Sequence, residues 1–496
     1  MRTYDRLVEV FDRVAAIHGA ESILHWDMQT NMPDGGAEIR GRHLATLEAV
    51  ANEMIVAGQV ADWIDESAVD GSLAPWEAAN VREMRRRREH IVAVDPKLKH
   101  ALTIEGTRCT NIWRKARPDN DFKTFAPAQQ RVFDLVREAA QQKASALGCS
   151  PYDALIDQFE PSMTTATIDD AFTPLRAAIP GLIDAAIERQ SGQANSVGTG
   201  PFSIEAQKQL GMDVMKAIGF DFEHGRLDVS AHPFCGGLPA DVRLTTRYRT
   251  DEWFSSLMGI VHETGHALYE QGLPADWTEQ PVGHARSMSV HESQSLMWEM
   301  QVARSPEFLA WLAPQAAATF GQPADVYTPE LLARAATRVE RGLIRVDADE
   351  CTYPAHVLLR FGLEKDIVAG TLNASDLPDA WAAGMKELVG VEPPDNRHGC
   401  MQDIHWTDGA IGYFPSYTLG AMTAAQLFEA FESRTGRSRA DFADGDFVSL
   451  LTWLRDEVHS RASLLSTTEL VTAATGKPLD ADAFLRHLRR RYLGAA

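Results

Sequence analysis

The stretch Val261-His262-Glu263-Thr264-Gly265-His266-Ala267-Leu268 concentrates the chemistry of this chain. Positions i and i+4 share one face of an α-helix, so the imidazoles of His262 and His266 can reach a single ion. Glu263 lies beside that face, placed to take a proton from water at the ion and to hand it to a leaving amine. Two neutral imidazoles and a carboxylate suit Zn²⁺, and Co²⁺ can substitute on such donors. Met258, Ile260, Val261, Ala267 and Leu268 surround the motif with apolar side chains. A helix so flanked is largely buried, and buried polar rings need partners, which a metal supplies.

A catalytic ion keeps one position open, so a third protein ligand is expected. Tyr269 and Gly272 stand where a longer motif would carry Gly and a third His. Glu270 shares the histidine face, but three donors from one helix form a near-linear row that fits a tetrahedral ion poorly. Ser289-Val290-His291-Glu292-Ser293-Gln294 opens the next helical stretch, and 292 − 266 = 26 residues leave room for a loop and a return. Glu292 is therefore the expected third ligand, with His291 and then Glu299 as the alternatives.

The elements that must position these residues read as helices. Tyr4, Leu7, Phe11 and Val14 recur at helical spacing, as do Leu44, Leu47, Ala51, Met54 and Ile55. Helices are expected over 76–94, 129–147, 168–190, 203–218, 252–271, 291–303, 329–341, 349–369, 417–435, 446–465 and 482–492, the last with Asp482 as its N-cap. Arg85-Arg86-Arg87-Arg88, beside Glu83 and Glu89, reads as a solvated helix face. Strand alternation is confined to 226–230 and 242–248, separated by a Gly236-Gly237-Leu238-Pro239 turn. The expectation is a mostly α chain: a single large helical domain over 1–496, bilobed around a deep groove, with one small sheet near the metal helix. Within it a helical N-terminal region covers about 1–200 and the metal-site region about 220–425.

Composition narrows the function. Of 496 residues, 45% are hydrophobic and 24% charged, an ordinary globular balance. The charge sum, 48 − 69 = −21, counts against a nucleic-acid binder or a polybasic membrane dock. No run reaches the roughly 18–20 apolar residues of a membrane span. MRTYDRLVEVFDRVAAIHG has no signal-peptide core. The five scattered cysteines form no CxxC and read as reduced thiols, mostly small buried hydrophobes, in a cytoplasmic protein. Gly476-Lys477 lacks the P-loop partners, since Val471 and Pro478 occupy their places, and no GxSxG occurs.

Further stretches align with the metal motif in order: Asp241-Val-Arg243-Leu-Thr245, His291-Glu-Ser-Gln294, Ile344-Arg345-Val-Asp-Ala-Asp349, Gly399-Cys-Met-Gln402-Asp403-Ile-His405-Trp406 and Gly412-Tyr413-Phe-Pro-Ser-Tyr417, after an early Ile23-Leu-His25-Trp26-Asp27. Over nearly its full length the chain resembles the carboxypeptidase Taq family of zinc metallocarboxypeptidases. It departs at His25, where Gly is expected, and at Leu296, where Arg is expected. The resemblance implies an almost wholly helical fold with a long groove, zinc on His262, His266 and Glu292, and Glu263 as base. It also implies a homodimer that removes single C-terminal residues from peptides with broad side-chain tolerance.

A carboxypeptidase must recognise a free α-carboxylate, which a guanidinium does with paired, charge-assisted hydrogen bonds. Arg345 is the leading candidate unless Asp347 or Asp349 ties it down, and Arg243 is the other unless Asp241 neutralises it. Tyr413 and His405, in glycine-punctuated loops, are candidate donors to an oxyanion. Gln402 and Asp403 could orient a ligand imidazole. The alternatives are a zinc endo- or aminopeptidase on the same core, or a helical scaffold with a structural metal. Glu263 argues against the scaffold, since a structural site has no use for an unligated carboxylate there.

Overall fold

The computed structural model describes residues 1–494. Ahead of the sheet run α1 (Thr3–Thr30), α2 (Ala37–Val56), α3 (Gly58–Ala68), α4 (Pro75–Val92), α5 (Pro96–Ala116), α6 (Phe122–Leu147), α7 (Pro151–Ile156), α8 (Thr165–Gln190) and α9 (Ile204–Ile218). The strands are β1 (Gly225–Val229), β2 (Cys235–Leu238) and β3 (Asp241–Thr246). Then come α10 (Phe254–Gly272), α11 (Met288–Leu296), α12 (Pro306–Phe320), α13 (Pro329–Ala336), α14 (Tyr353–Ala369), α15 (Leu377–Leu388) and α16 (Pro415–Thr435). The shorter α17 (Ala440–Ala443), α18 (Val448–Glu457), α19 (Thr467–Thr475) and α20 (Asp482–Leu488) finish the described chain. The mostly helical class with one small sheet is the architecture expected.

Periodicity becomes packing in a simple way. Tyr4, Leu7, Phe11 and Val14 are all buried and join α1 to α2, α3 and α4 in a small N-terminal core. Two much larger cores carry the rest. One gathers α9, the sheet, α10, α12 and α18, and the other gathers α5, α6, α8, α14, α15 and α20. Helix α16 is the shared wall: Ala424, Leu427 and Phe428 face the first core, while Leu419, Met422 and Ala425 face the second. Helix α11, which carries Glu292, packs along α16 and so lies at the seam. The two cores meet along α16 within one helical domain.

Several local expectations are corrected. The stretch expected as a turn between two strands is itself strand β2. It pairs antiparallel with β3 (Cys235↔Leu244), while β1 runs parallel to β3, giving the order β1-β3-β2. Gly237 has φ +103°, and a Cβ there would collide with the Asp241 carbonyl, so the glycine pair shapes a strand edge. The helix expected over 291–303 is regular only to Leu296 and continues as a π-helix over Met297–Ala303. The one expected over 446–465 ends at Glu457. Ala481, not Asp482, is the N-cap of α20, and Asp480 accepts the Asp482 N–H. The arginine run is not a solvated face: Arg85 pairs Asp65, Arg86 pairs a buried Glu83, and Arg87 meets His284 Nδ1 at 3.0 Å.

Candidate metal centre

Helix α10 brings His262 and His266 onto one face because Leu257, Met258, Ile260, Val261, Ala267 and Leu268 are buried in the first core. Helix α11 starts where the Ser287 hydroxyl accepts the Val290 N–H. Fully buried Glu160 pins it, taking the Ser289 N–H and hydroxyl at 2.6 Å each. Glycines set the gap: a Cβ on Gly265 would sit 2.5 Å from the Gln294 carbonyl, and one on Gly420 would sit 2.7 Å from Glu292 Cβ. Only glycine at both positions lets α10, α11 and α16 approach this closely.

As a result one donor atom each from His262, His266 and Glu292 lies within 4.8 Å of the others. His266 Nε2 and Glu292 Oε2 are 3.6 Å apart. That is long for a hydrogen bond but close to the roughly 3.3 Å between two ligands on a tetrahedral ion with bonds of about 2.0–2.1 Å. The other ring nitrogens are occupied. Glu299 Oε2 meets His262 Nδ1 at 2.9 Å, and Glu299 Oε1 accepts from Arg304 Nη2 at 2.7 Å. His291 Nδ1 meets His266 Nδ1 at 2.6 Å, and Glu270 Oε1 meets His291 Nε2 at 2.8 Å. Of the other donors weighed from the sequence, Glu299 and His291 thus face the backs of the two imidazoles, and Glu270 stands behind His291. Such partners fix ring orientation and tautomer. The donor set fits a zinc-type ion.

The local field is strongly anionic. Burial pushes Glu263 up to about 7, and Glu292 and Glu299 add to the rise against His262. Burial also raises Glu292. His262 is raised to about 10: burial opposes its charge, but the Glu299 hydrogen bond and the carboxylates of Glu292, Glu299 and Glu263 outweigh it. Burial opposes the charge of Glu299 too, yet Arg304 and His262 hold it down near 2. Three carboxylates, Glu263, Glu292 and Glu299, beside two imidazoles make a cavity that favours a cation.

Arg345 is almost fully buried. Its partners are not Asp347 or Asp349. Asp403 Oδ1 takes its Nε at 3.0 Å and Nη2 at 2.9 Å, and the Tyr353 hydroxyl accepts from Nη1 at 2.7 Å. Rings of Tyr417 and Phe414 flank it at 5.0 and 5.2 Å. Arg360 Nε donates to the other oxygen of Asp403 at 2.7 Å, and Gln402 accepts from both Arg360 Nη2 and the Arg345 N–H. Gln402 and Asp403 therefore orient arginines rather than an imidazole. One carboxylate between two guanidiniums leaves the cluster a net positive charge. Burial opposes ionisation of Asp403, but Arg360 and Arg345 hold it well below the usual carboxylate range. Arg243, by contrast, is neutralised by a bidentate pair with Asp241 at 2.8–2.9 Å and lies over Trp26.

Tyr413 stacks on His405 with ring centroids 5.7 Å apart, and His405 Nε2 is 3.4 Å from the Tyr417 hydroxyl. Burial and the Arg345 charge push His405 down to about 4, which leaves it neutral. Burial and the Glu292 charge keep the Tyr413 phenol protonated. Tyr353 and Tyr417 were missed as site residues in the sequence. Tyr417 closes a recognised stretch, whereas nothing local marks Tyr353. Leu296 is buried in the first core, and His25 is exposed beside the buried Trp26.

The comparisons with known proteins agree with this geometry. Residues 6–492 match the family model described as carboxypeptidase Taq (M32) metallopeptidase. The chain is 37% identical to thermostable carboxypeptidase 1 of Thermus thermophilus, covering 99% of this chain and 98% of that one. It is 29% identical to carboxypeptidase 1 of Bacillus subtilis over the same shares. Metallocarboxypeptidase 1 of Trypanosoma cruzi superposes with a TM-score of 0.97 at 39% identity over 99% of both chains. The chain thus belongs to the carboxypeptidase Taq (M32) family and is a metallocarboxypeptidase.

Proposed function

We propose that this enzyme is a zinc carboxypeptidase that releases single C-terminal residues from peptides with broad side-chain tolerance, with His262, His266 and Glu292 as its metal ligands. The observation that carries the reading is the convergence of those three donors while the opposite ring nitrogens are held by Glu299 and His291. Zinc bound there would supply a Lewis acid for water and for the scissile carbonyl. Co²⁺ would be accepted by the same donors.

The chain's own groups do the rest. Glu263 removes the proton of the attacking water and returns it to the nitrogen of the departing amino acid. The Arg345 guanidinium binds the substrate's α-carboxylate, supported by the net positive charge of the cluster it forms with Arg360 and Asp403. Arg243, already matched by Asp241, is the weaker candidate. Tyr413 donates to the developing oxyanion, with His405 stacked behind it. Assembly as a homodimer and a cytoplasmic location complete the reading. The latter is supported by five unpaired thiols and by the absence, among the described residues, of any helix long and apolar enough to cross a membrane. Sedimentation velocity tests the dimer.

The deciding experiment is a digestion of one peptide in free, C-amidated and N-acetylated forms, read by mass, alongside elemental analysis of the protein. Stepwise loss from the free and N-acetylated C-terminus, with one zinc per chain, is expected. Internal cutting, or equal hydrolysis of the amide, overturns the assignment of Arg345.

A further inference from the structure

Against a charge of −21, one part of the surface is conspicuously cationic. A cavity of about 90 Å³ opens between the end of α8, the end of α13 and the last turns of the described chain. Its lining includes Arg189, Arg334, Arg338 and Arg491 and contains no aspartate or glutamate. Arg491 forms the deep wall, with a side chain only 8% exposed. Its Nη1 is bound to Glu350 Oε2 at 2.9 Å and to the Met300 carbonyl, while Nε and Nη2 have no partner among the described residues. The other three arginines are exposed and form the rim. Arg338 has an exposed partner in Glu340 at 3.1 Å, a pairing of the weak kind. Arg189 and Arg334 donate only to the carbonyls of Leu493 and Ala194 and meet no carboxylate among the described residues.

Arginines near helix C-termini complement the helix dipole, and Arg189 and Arg334 are so placed. That accounts for each alone but not for four guanidiniums around one cavity, one of them with a largely covered side chain whose Nε and Nη2 have no partner among the described residues. Converging guanidiniums with free N–H groups suit a phosphate-like oxyanion. The volume is far below the roughly 300–1,000 Å³ of pockets that take drug-sized ligands. It admits a single tetrahedral anion and excludes a nucleoside.

Two routes tie this cavity to the metal centre. Arg491 holds the Met300 carbonyl, one residue beyond Glu299 on the π-helix. The carbonyl of Ala336, next to the lining residue Thr337, accepts from Arg304 Nη1 at 2.6 Å. Arg304 in turn holds Glu299, and Glu299 holds His262. We propose that the cavity binds a free inorganic oxyanion of the phosphate class and that its occupancy is coupled to metal affinity through Arg491, Arg304 and Glu299. The coupling, but not the anion binding, rests on the metal ligands proposed above.

Calorimetric titration of the zinc-loaded enzyme with inorganic phosphate tests the binding, and the Arg189→Gln/Arg334→Gln double variant is the comparison. Both side chains are exposed, so the variant should fold normally. One site is expected in the wild type, weakened about tenfold or more in the variant. Equal affinity in the two proteins would place the phosphate elsewhere, at the zinc for instance, and overturn the proposal, as would no binding at millimolar phosphate. AMP is the second titrant: it should bind no more tightly than phosphate, and markedly tighter binding would overturn the assignment to a free anion. Zinc affinity, measured by chelator competition with and without phosphate, should shift about fivefold in the wild type and not in the variant. Variant-sensitive phosphate binding with unchanged zinc affinity would refute the coupling. None of these readouts depends on hydrolysis.

Discussion

Glu299 touches His262 at the nitrogen that faces away from the proposed ion: its Oε2 lies 2.9 Å from His262 Nδ1, while Arg304 takes its other oxygen. The imidazole is thereby held with Nε2 aimed at His266 and Glu292. Glu299→Gln keeps the shape and removes the charge. Zinc affinity should fall about 10–100-fold, as found for partners of ligating histidines. Chelator competition reads it, and unchanged affinity would mean that the ring is held by packing alone.

Glu263→Gln should retain one zinc per chain but lose about 10²–10⁴-fold in kcat. Glu292→Ala should lose the metal itself. Near-native turnover by zinc-loaded Glu263→Gln would remove Glu263 from the chemistry.

A peptide amide cannot offer the charge that Arg345 is proposed to bind. Truncating one partner of a buried charge pair costs about 2–5 kcal/mol, or about 30-fold to several thousand-fold in kcat/KM. Arg345→Ala should therefore depress hydrolysis of the free acid far more than that of the amide. Arg243→Ala should leave the ratio unchanged, because Asp241 already occupies that guanidinium. Reversal of the two effects would move the clamp to Arg243.

Much of this was legible in the sequence, and the reasons differ by residue. The spacing of His262 and His266 carries their shared face, and the apolar residues on either side of the motif carry the burial of α10. The partner of Arg345 was not legible: Asp403 is 58 residues away, and only packing of the loop before α14 against the loop before α16 joins them. Strand β2 was hidden because two glycines and a proline imitate a turn, while its real determinant is the neighbouring strand β3. The arginine run of α4 looked solvated because the sequence could not reveal Glu83 turned inward against Arg286 at 2.7 Å.

Acid should unfold the protein through two buried carboxylates. Burial opposes the charge of Glu350, but His487 and Arg491 hold its pKa well below the usual range, and Arg360 and Arg345 do the same for Asp403. A depressed folded-state pKa stabilises the protein above the unfolded values of about 4, and that stability is lost as pH falls toward the folded values. Glu350→Gln should cost about 3–5 kcal/mol at neutral pH by leaving Arg491 unmatched, and less below pH of about 3. Urea midpoints across pH measure this. A constant difference from neutral to acid pH would show that Glu350 is not charged in the fold.

Gly265→Ala should displace α11 and with it Glu292, because the new Cβ would lie 2.6 Å from Ser295 Cα. Overpacking of this kind costs about 1–3 kcal/mol. Thermal unfolding and zinc content should fall together. A stable variant with full zinc would show that the two helices can part without moving the carboxylate.

The wide turn over Met297–Ala303 also has a meaning in terms of chain length. Glu299 and Arg304 are five residues apart, and on an ordinary α-helix they would point about 140° away from each other. They meet here because the backbone closes from Arg304 N–H to the Glu299 carbonyl at 3.1 Å, a five-residue loop of hydrogen bonding. Deleting one residue between them would restore a four-residue spacing, in which an ordinary helix brings the same two side chains together. The wide turn therefore works as a slot that absorbs one extra residue without unseating the glutamate behind His262. Within this stretch a single deletion should be better tolerated than a substitution at either end.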